Sequence, residues 1–92
     1  MRIRLYLDPE TGQPHIYEHD VDEAEVTEVL ARPGEDRPGK DGSRVAVGPT
    51  AHGRHLRIIY VAEPGGVFVI TAYELRGKPL LAYRRRRRRK RG

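Results

Sequence analysis

Cysteine and tryptophan are absent from this chain, and methionine and phenylalanine occur once each. Without cysteine there are no disulfides and no thiolate metal sites, and redox chemistry says nothing of the compartment. No apolar run approaches the roughly 20 residues of a membrane span, and the opening MRIRLYLDPE lacks the apolar centre of a secretory signal. A cytoplasmic protein without membrane association is expected. With 92 residues, the chain makes one domain with a core of modest size.

Acidity is missing from the C-terminal end alone. Residues 75–92 hold 10 basic and no acidic side chains, whereas residues 1–74 hold 13 acidic and 8 basic ones. The overall charge of +5 therefore conceals an acidic body and a strongly basic end. The division suggests a domain over residues 1–83 and an arginine-rich tail over residues 84–92. Runs of like charge are usually solvated, and this one could also fold back on its own body or a neighbour's. Phosphate has the stronger physical case, because guanidinium groups hold phosphate oxygens in pairs and neutralising a polyanion releases its counterions. The candidate phosphate contacts are Arg84, Arg85, Arg86, Arg87, Arg88, Arg89, Lys90 and Arg91.

Along the body, RIRLYLD alternates with a period of two and reads as a strand with Ile3, Leu5 and Leu7 on one side. In EHDVDEAEVTEVLARPG, Asp20 with Glu23 resembles a capping box for a helix of about three turns. Val26, Val29 and Leu30 form the apolar flank of that helix, and Pro33-Gly34 ends it. EDRPGKDG reads as a polar loop and SRVAVG as a short strand. RHLRIIYVA and VFVITAYEL, joined by EPGG, read as an antiparallel hairpin with Pro64-Gly65 at its turn.

A four-residue connection sets Ala62 against Val67, Tyr60 against Val69 and Ile58 against Thr71. Leu56, Ile58, Tyr60, Val67, Val69 and Tyr73 then share one face, and Arg57, Ile59, Val61, Phe68, Ile70 and Ala72 the other. Both faces are largely apolar, so both need cover. One helix supplies part of it, and the C-terminal segment, a second copy or another protein must supply the rest. Pro79 suits the first turn of a further helix, with LLAY packed on the sheet and the arginines frayed beyond it. The expected architecture is α+β: an antiparallel sheet of about four strands, one helix on a face, and a basic C-terminal segment.

This order of elements resembles the BrnT-like bacterial toxins of the RelE/ParE superfamily. EHDVDEAEV, Glu18 to Val26, is similar to that group's basic-residue–His–Gly–Val segment. Arg54 to Arg86 is similar to its long hairpin and basic end, and ITAY, Ile70 to Tyr73, recurs in related bacterial domains. The chain departs from the pattern at Asp20, where the group has glycine, and at Tyr73-Glu74, where it has arginine. The resemblance implies a metal-independent endoribonuclease that acts on RNA or on the ribosome, held in check by a cognate antitoxin protein. It also implies a basic and aromatic site near the sheet and the C-terminal segment.

Such cleavage needs a proton acceptor for the 2′-hydroxyl, a donor for the leaving oxygen, and cations on the phosphate. Arg57, Arg76, Lys78 and Tyr83 are the catalytic candidates, followed by Tyr73, His19 and His55. Arg57 on an apolar strand needs a partner, either phosphate or a helix carboxylate such as Glu25 or Glu28. Tyr83 equally suits an anchor for the last segment. His15 and His19 find no third ligand by sequence, so no metal is expected. EPGG and PTAHG lack the lysine and helix placement of a phosphate loop, so no cofactor is expected. His52 and His55 flank a turn and are expected at the surface. Two alternatives remain open: a non-enzymatic nucleic-acid- or ribosome-binding protein, and a homodimer whose tails cross onto the partner's acidic helix.

Overall fold

The computed structural model describes residues 1–91, with side chains described through Arg89. In chain order it contains β1 (Arg2–Leu5), a 3-10 helix (His15–His19), α1 (Glu23–Ala31), β2 (Glu35–Pro38), a 3-10 turn (Lys40–Gly42), β3 (Arg44–Pro49), β4 (His55–Glu63), β5 (Gly66–Glu74) and α2 (Gly77–Arg91). The expected α+β class holds. The five strands form one sheet in the order β1-β5-β4-β3-β2. The sheet is mixed, because β1 runs parallel to β5.

The additional strand is β2, which occupies part of the stretch expected as a loop. Glu35–Pro38 shows no apolar alternation, and it becomes a strand only by pairing its backbone with β3, Glu35 opposite Val47 and Pro38 opposite Arg44. It forms the edge of the sheet, where polar residues and a proline are tolerated because one side of the ladder ends there.

The β4–β5 hairpin follows its turn chemistry near the loop and departs from it further out. Gly65 has a φ of +78°, as the second central residue of a Pro-Gly turn requires. Gly66 is needed for space, since a Cβ there would lie 1.9 Å from the Arg2 carbonyl oxygen of β1. Ala62 pairs with Val67 and Tyr60 with Val69 as expected, but a bulge between Ile59 and Tyr60 shifts the register, so that Ile58 meets Ala72 and Arg57 meets Tyr73. Ile70 is the extra residue. Because side chains alternate along a strand, one inserted residue exchanges the faces beyond it. Ala72, rather than Tyr73, enters the core.

That core lies beneath α1 and the first 3-10 helix. Ile16, Val21, Val26 and Val29 pack on Ala46, Leu56, Ile58, Val67, Val69 and Ala72. Each large aliphatic side chain buried here contributes about 1.5–3 kcal/mol. The cap of α1 sits two residues later than expected. Asp22 accepts from the Glu25 N–H at 2.8 Å, and the Glu25 carboxylate accepts from the Asp22 N–H at 3.1 Å. Asp20 instead closes the preceding 3-10 helix in a left-handed conformation, φ 58°. Both carry an acid three residues on, so spacing alone could not separate them.

The second face is covered in part by α2. Tyr83 packs with Val45, Val47 and Leu75, and Leu80 and Ile59 join this smaller cluster. The arginine run is thus a helix continuous with the domain rather than a frayed tail. Like-charge repulsion is offset because the helix is anchored along its length. The Arg86 guanidinium donates two hydrogen bonds to Glu35 of β2, and Arg87 donates to the Gly34 carbonyl.

Candidate nucleic-acid interface

The placement of α2 decides what its arginines face. Tyr83 is almost fully buried, and its hydroxyl lies where a side chain at position 34 would be: a Cβ there would fall 1.9 Å from it. Glycine after Pro33 therefore ends α1 and also seats α2. With Tyr83 turned inward and Arg86 held by Glu35, helical periodicity sends Arg84, Arg85, Arg88 and Arg89 outward. These four are exposed, and among the described residues none joins an ion pair. Lys90 and Arg91, also expected at phosphate, lie outside the described side chains.

Beside this helix opens a cleft of about 430 Å³ lined by Arg32, His55, Tyr83, Arg84, Arg87 and Arg88, with Pro33, Gly34 and Pro49 completing its wall. Among the described residues no carboxylate lines it. Arg84 and Arg88 are one helical turn apart and project together, and Arg32 reaches the cleft from the end of α1. His55 begins β4 and packs edge-on against Tyr83, ring centres 5.5 Å apart. It is half-buried rather than at the surface. Burial lowers its pKa below the ordinary 6.5, and the positive charge of Arg84 lowers it further, against a hydrogen bond to the Gly53 backbone. At neutral pH the ring is therefore uncharged and able to accept a proton. Burial also raises the pKa of Tyr83, keeping its hydroxyl protonated.

The four catalytic candidates are not brought together. Tyr83 lines the α2 cleft. Arg76 lies 3.0 Å from Glu74 in a separate cleft shared with His19, Arg54 and Tyr73. Lys78 is exposed in the first turn of α2. Arg57 lines a recess with Arg37 and Lys40, and it stands two residues along β4 from His55, about 7 Å at a strand's rise per residue. Of the two helix carboxylates considered for Arg57, Glu28 accepts from the Ala51 N–H at 3.4 Å. Glu25 is taken by Arg54, which donates from Nη1 to both Glu25 oxygens at 3.0 Å and from Nε to Glu74 at 3.0 Å. Arg57 alternates with Leu56 and Ile58, so it projects from the face opposite α1. Arg54 also donates to the Asp20 and His19 carbonyls, clamping the 3-10 helix and α1 to β5. Nothing in the sequence marks Arg54 for this role, because its partners come from three separate elements.

His15 does meet two other potential ligands, with His19 not among them. Asp8, His15 and Glu18 place one ligand atom each within 4.8 Å of one another. Asp8 arrives through a bridge between Leu7 and Pro14, which closes the turn that PETGQP forms. The two carboxylates lie close enough to act on each other. Asp8 is held below its ordinary pKa, first by the Glu10 N–H and then by Glu18, while Asp8 raises that of Glu18. Among the described residues no helix is long and apolar enough to cross a membrane. Comparison with protein-family models, with curated proteins and with solved structures finds no match to this chain.

Proposed function

We propose that this protein binds RNA along the outer face of α2 and cleaves it in the α2 cleft, as a toxin-type endoribonuclease. One observation carries the reading: four arginines and an uncharged histidine line a cleft that, among the described residues, has no carboxylate. The arginines suit a phosphodiester and the charge that grows on it in the transition state. His55, with one ring nitrogen on the Gly53 backbone, keeps a lone pair on the other. It accepts the proton of the 2′-hydroxyl, and the freed oxygen attacks the adjacent phosphorus. The 5′-oxygen then leaves with a proton, either from the imidazolium just formed or from water. The products are a 2′,3′-cyclic phosphate and a 5′-hydroxyl. General-base help of this kind is worth about 10²–10⁴-fold in rate. A cognate antitoxin would act by covering the cleft.

A second reading, a non-enzymatic RNA or ribosome binder, is favoured by Arg85 and Arg89, which are exposed but do not line the cleft. Single-stranded RNA incubated with the full chain separates the two. Binding followed by cleavage with a cyclic-phosphate end, with cleavage lost and binding kept in His55→Ala, is the expected result. Binding without cleavage by the unaltered protein would leave the second reading. No association at low salt would remove both.

A further inference from the structure

The structure assigns a second anion site, separate from the α2 cleft: we infer that the recess formed by Arg37, Lys40, Ser43 and Arg57 binds a dianionic phosphate group. The sheet register brings these residues together. Arg37 of β2 pairs with Val45 and thence with Ile59, while Arg57 of β4 pairs with Val47. Paired residues share a face, so both side chains project from the α2 side of the sheet, from backbone positions two strands and two residues apart, about 12 Å. Asp36, the neighbour of Arg37, points to the other face, where Arg44 and Tyr60 donate to it. The alternation of β2 therefore turns Asp36 away from the recess, while Glu35, on the same face as Arg37, is engaged by Arg86.

Arg57 carries the inference. Its Nε–H is enclosed by the protein and meets no acceptor among the described residues. Several other arginines meet carboxylates instead: Arg4 with Glu63, Arg44 with Asp36, Arg54 with Glu25 and Glu74, Arg86 with Glu35. The recess holds three cations and a hydroxyl in about 380 Å³, and among the described residues no carboxylate lines it. Its wall is closely fitted, since a Cβ on Gly39 would lie 2.7 Å from the Ser43 hydroxyl. An enclosed guanidinium donor without an acceptor is costly, and an anion on the part of the same guanidinium that lines the recess would offset that cost. A guanidinium fork matches two oxygens of a tetrahedral anion, a lysine adds a point charge, and a serine hydroxyl donates a further hydrogen bond. Three positive charges favour the dianion of a phosphate monoester or free phosphate over the single charge of a phosphodiester.

The test is a titration of the full chain followed through arginine Nε–H resonances, with the Arg57 signal assigned by its loss in Arg57→Met. Inorganic phosphate should shift that signal to saturation, and chloride at equal ionic strength should not. Arg37→Ala combined with Lys40→Ala, both at exposed positions, should weaken the response at least about tenfold, taking one strong ionic contact as a factor of ten. Arg84→Ala with Arg88→Ala should leave it unchanged. Adenosine 5′-monophosphate reproducing the shift, with adenosine silent, would identify a nucleotide's terminal phosphate as the source; inorganic phosphate alone would identify the free ion. An Arg57 signal unmoved by phosphate, or moved equally in the Arg37/Lys40 variant or by chloride, overturns the assignment. RNA binding to α2 is read separately, so either proposal can fail without the other.

Discussion

Two residues link local chemistry to the proposed site most directly. Gly34 leaves room for the Tyr83 hydroxyl, so Gly34→Ala should cost about 1–3 kcal/mol through overpacking, read as a lower urea midpoint. Removing the hydroxyl relieves the closest clash, 1.9 Å from the added Cβ. The penalty should therefore shrink in a Tyr83→Phe background, and additive losses would refute the coupling. His55 carries the pH prediction. Burial and Arg84 lower its pKa below 6.5, so the unfolded chain holds the proton more readily than the folded one. Its contribution to stability is fully present above about 6.5, and it is lost as pH falls through the lower folded value. Unfolding midpoints across this window should decline less steeply for His55→Gln than for the unaltered chain. Cleavage should rise with pH through the same folded value as the base loses its proton.

At the scale of elements, α1 and α2 show how differently helices are specified. The apolar flank of α1, Val26, Val29 and Leu30, is visible from spacing, and its end from Pro33-Gly34. Its beginning is ambiguous, because Asp20 and Asp22 both precede an acid by three residues, and only Asp22 makes the bond. Asp22→Ala should therefore destabilise the protein by about 1 kcal/mol. Asp20→Gly, which relieves a left-handed φ of 58°, should have little effect or a slight stabilising one. Chemical denaturation of the two variants decides between the caps. In α2, eight adjacent cations argue locally against order, and the helix persists because Tyr83, Arg86 and Arg87 are each tied to the body. Arg86 and Glu35 lie 51 residues apart, beyond the reach of any local pattern. The β5 bulge is of the same kind, since neither Ile70 nor its neighbours carry a residue that requires it.

For the whole molecule, the charge division survives folding in a sharper form. Arg86 and Arg87 turn inward to the body, while Arg84, Arg85, Arg88 and Arg89 stay exposed. If these four meet phosphate, the logarithm of RNA affinity should fall with the logarithm of salt at a slope of about −3, roughly −0.7 for each contact on a single strand. Arg85→Ala should reduce the slope by about 0.7 and weaken different RNA sequences alike, because phosphate contacts do not read bases. An unchanged slope would mean that this arc does not face the strand. Truncating α2 at residue 84 would be a poorer test, since it also removes Arg86 and Arg87 and so loosens the cover of the sheet.

Sequence by itself determined the features that depend on neighbouring residues: the Pro64-Gly65 turn, the alternation of β4, the apolar flank of α1 and the basic end. Tertiary structure alone decided which face Tyr73 and Ala72 occupy, that EDRP is a strand, and that Arg54 rather than Arg57 takes Glu25. It also decided that His55 is half-buried beside Arg84, and that Arg57 Nε is enclosed without an acceptor. Backbone period and turn preference act over a few residues and are written in spacing. Burial, pairing and charge compensation depend on which distant segments meet, and those meetings exist only once the sheet has formed.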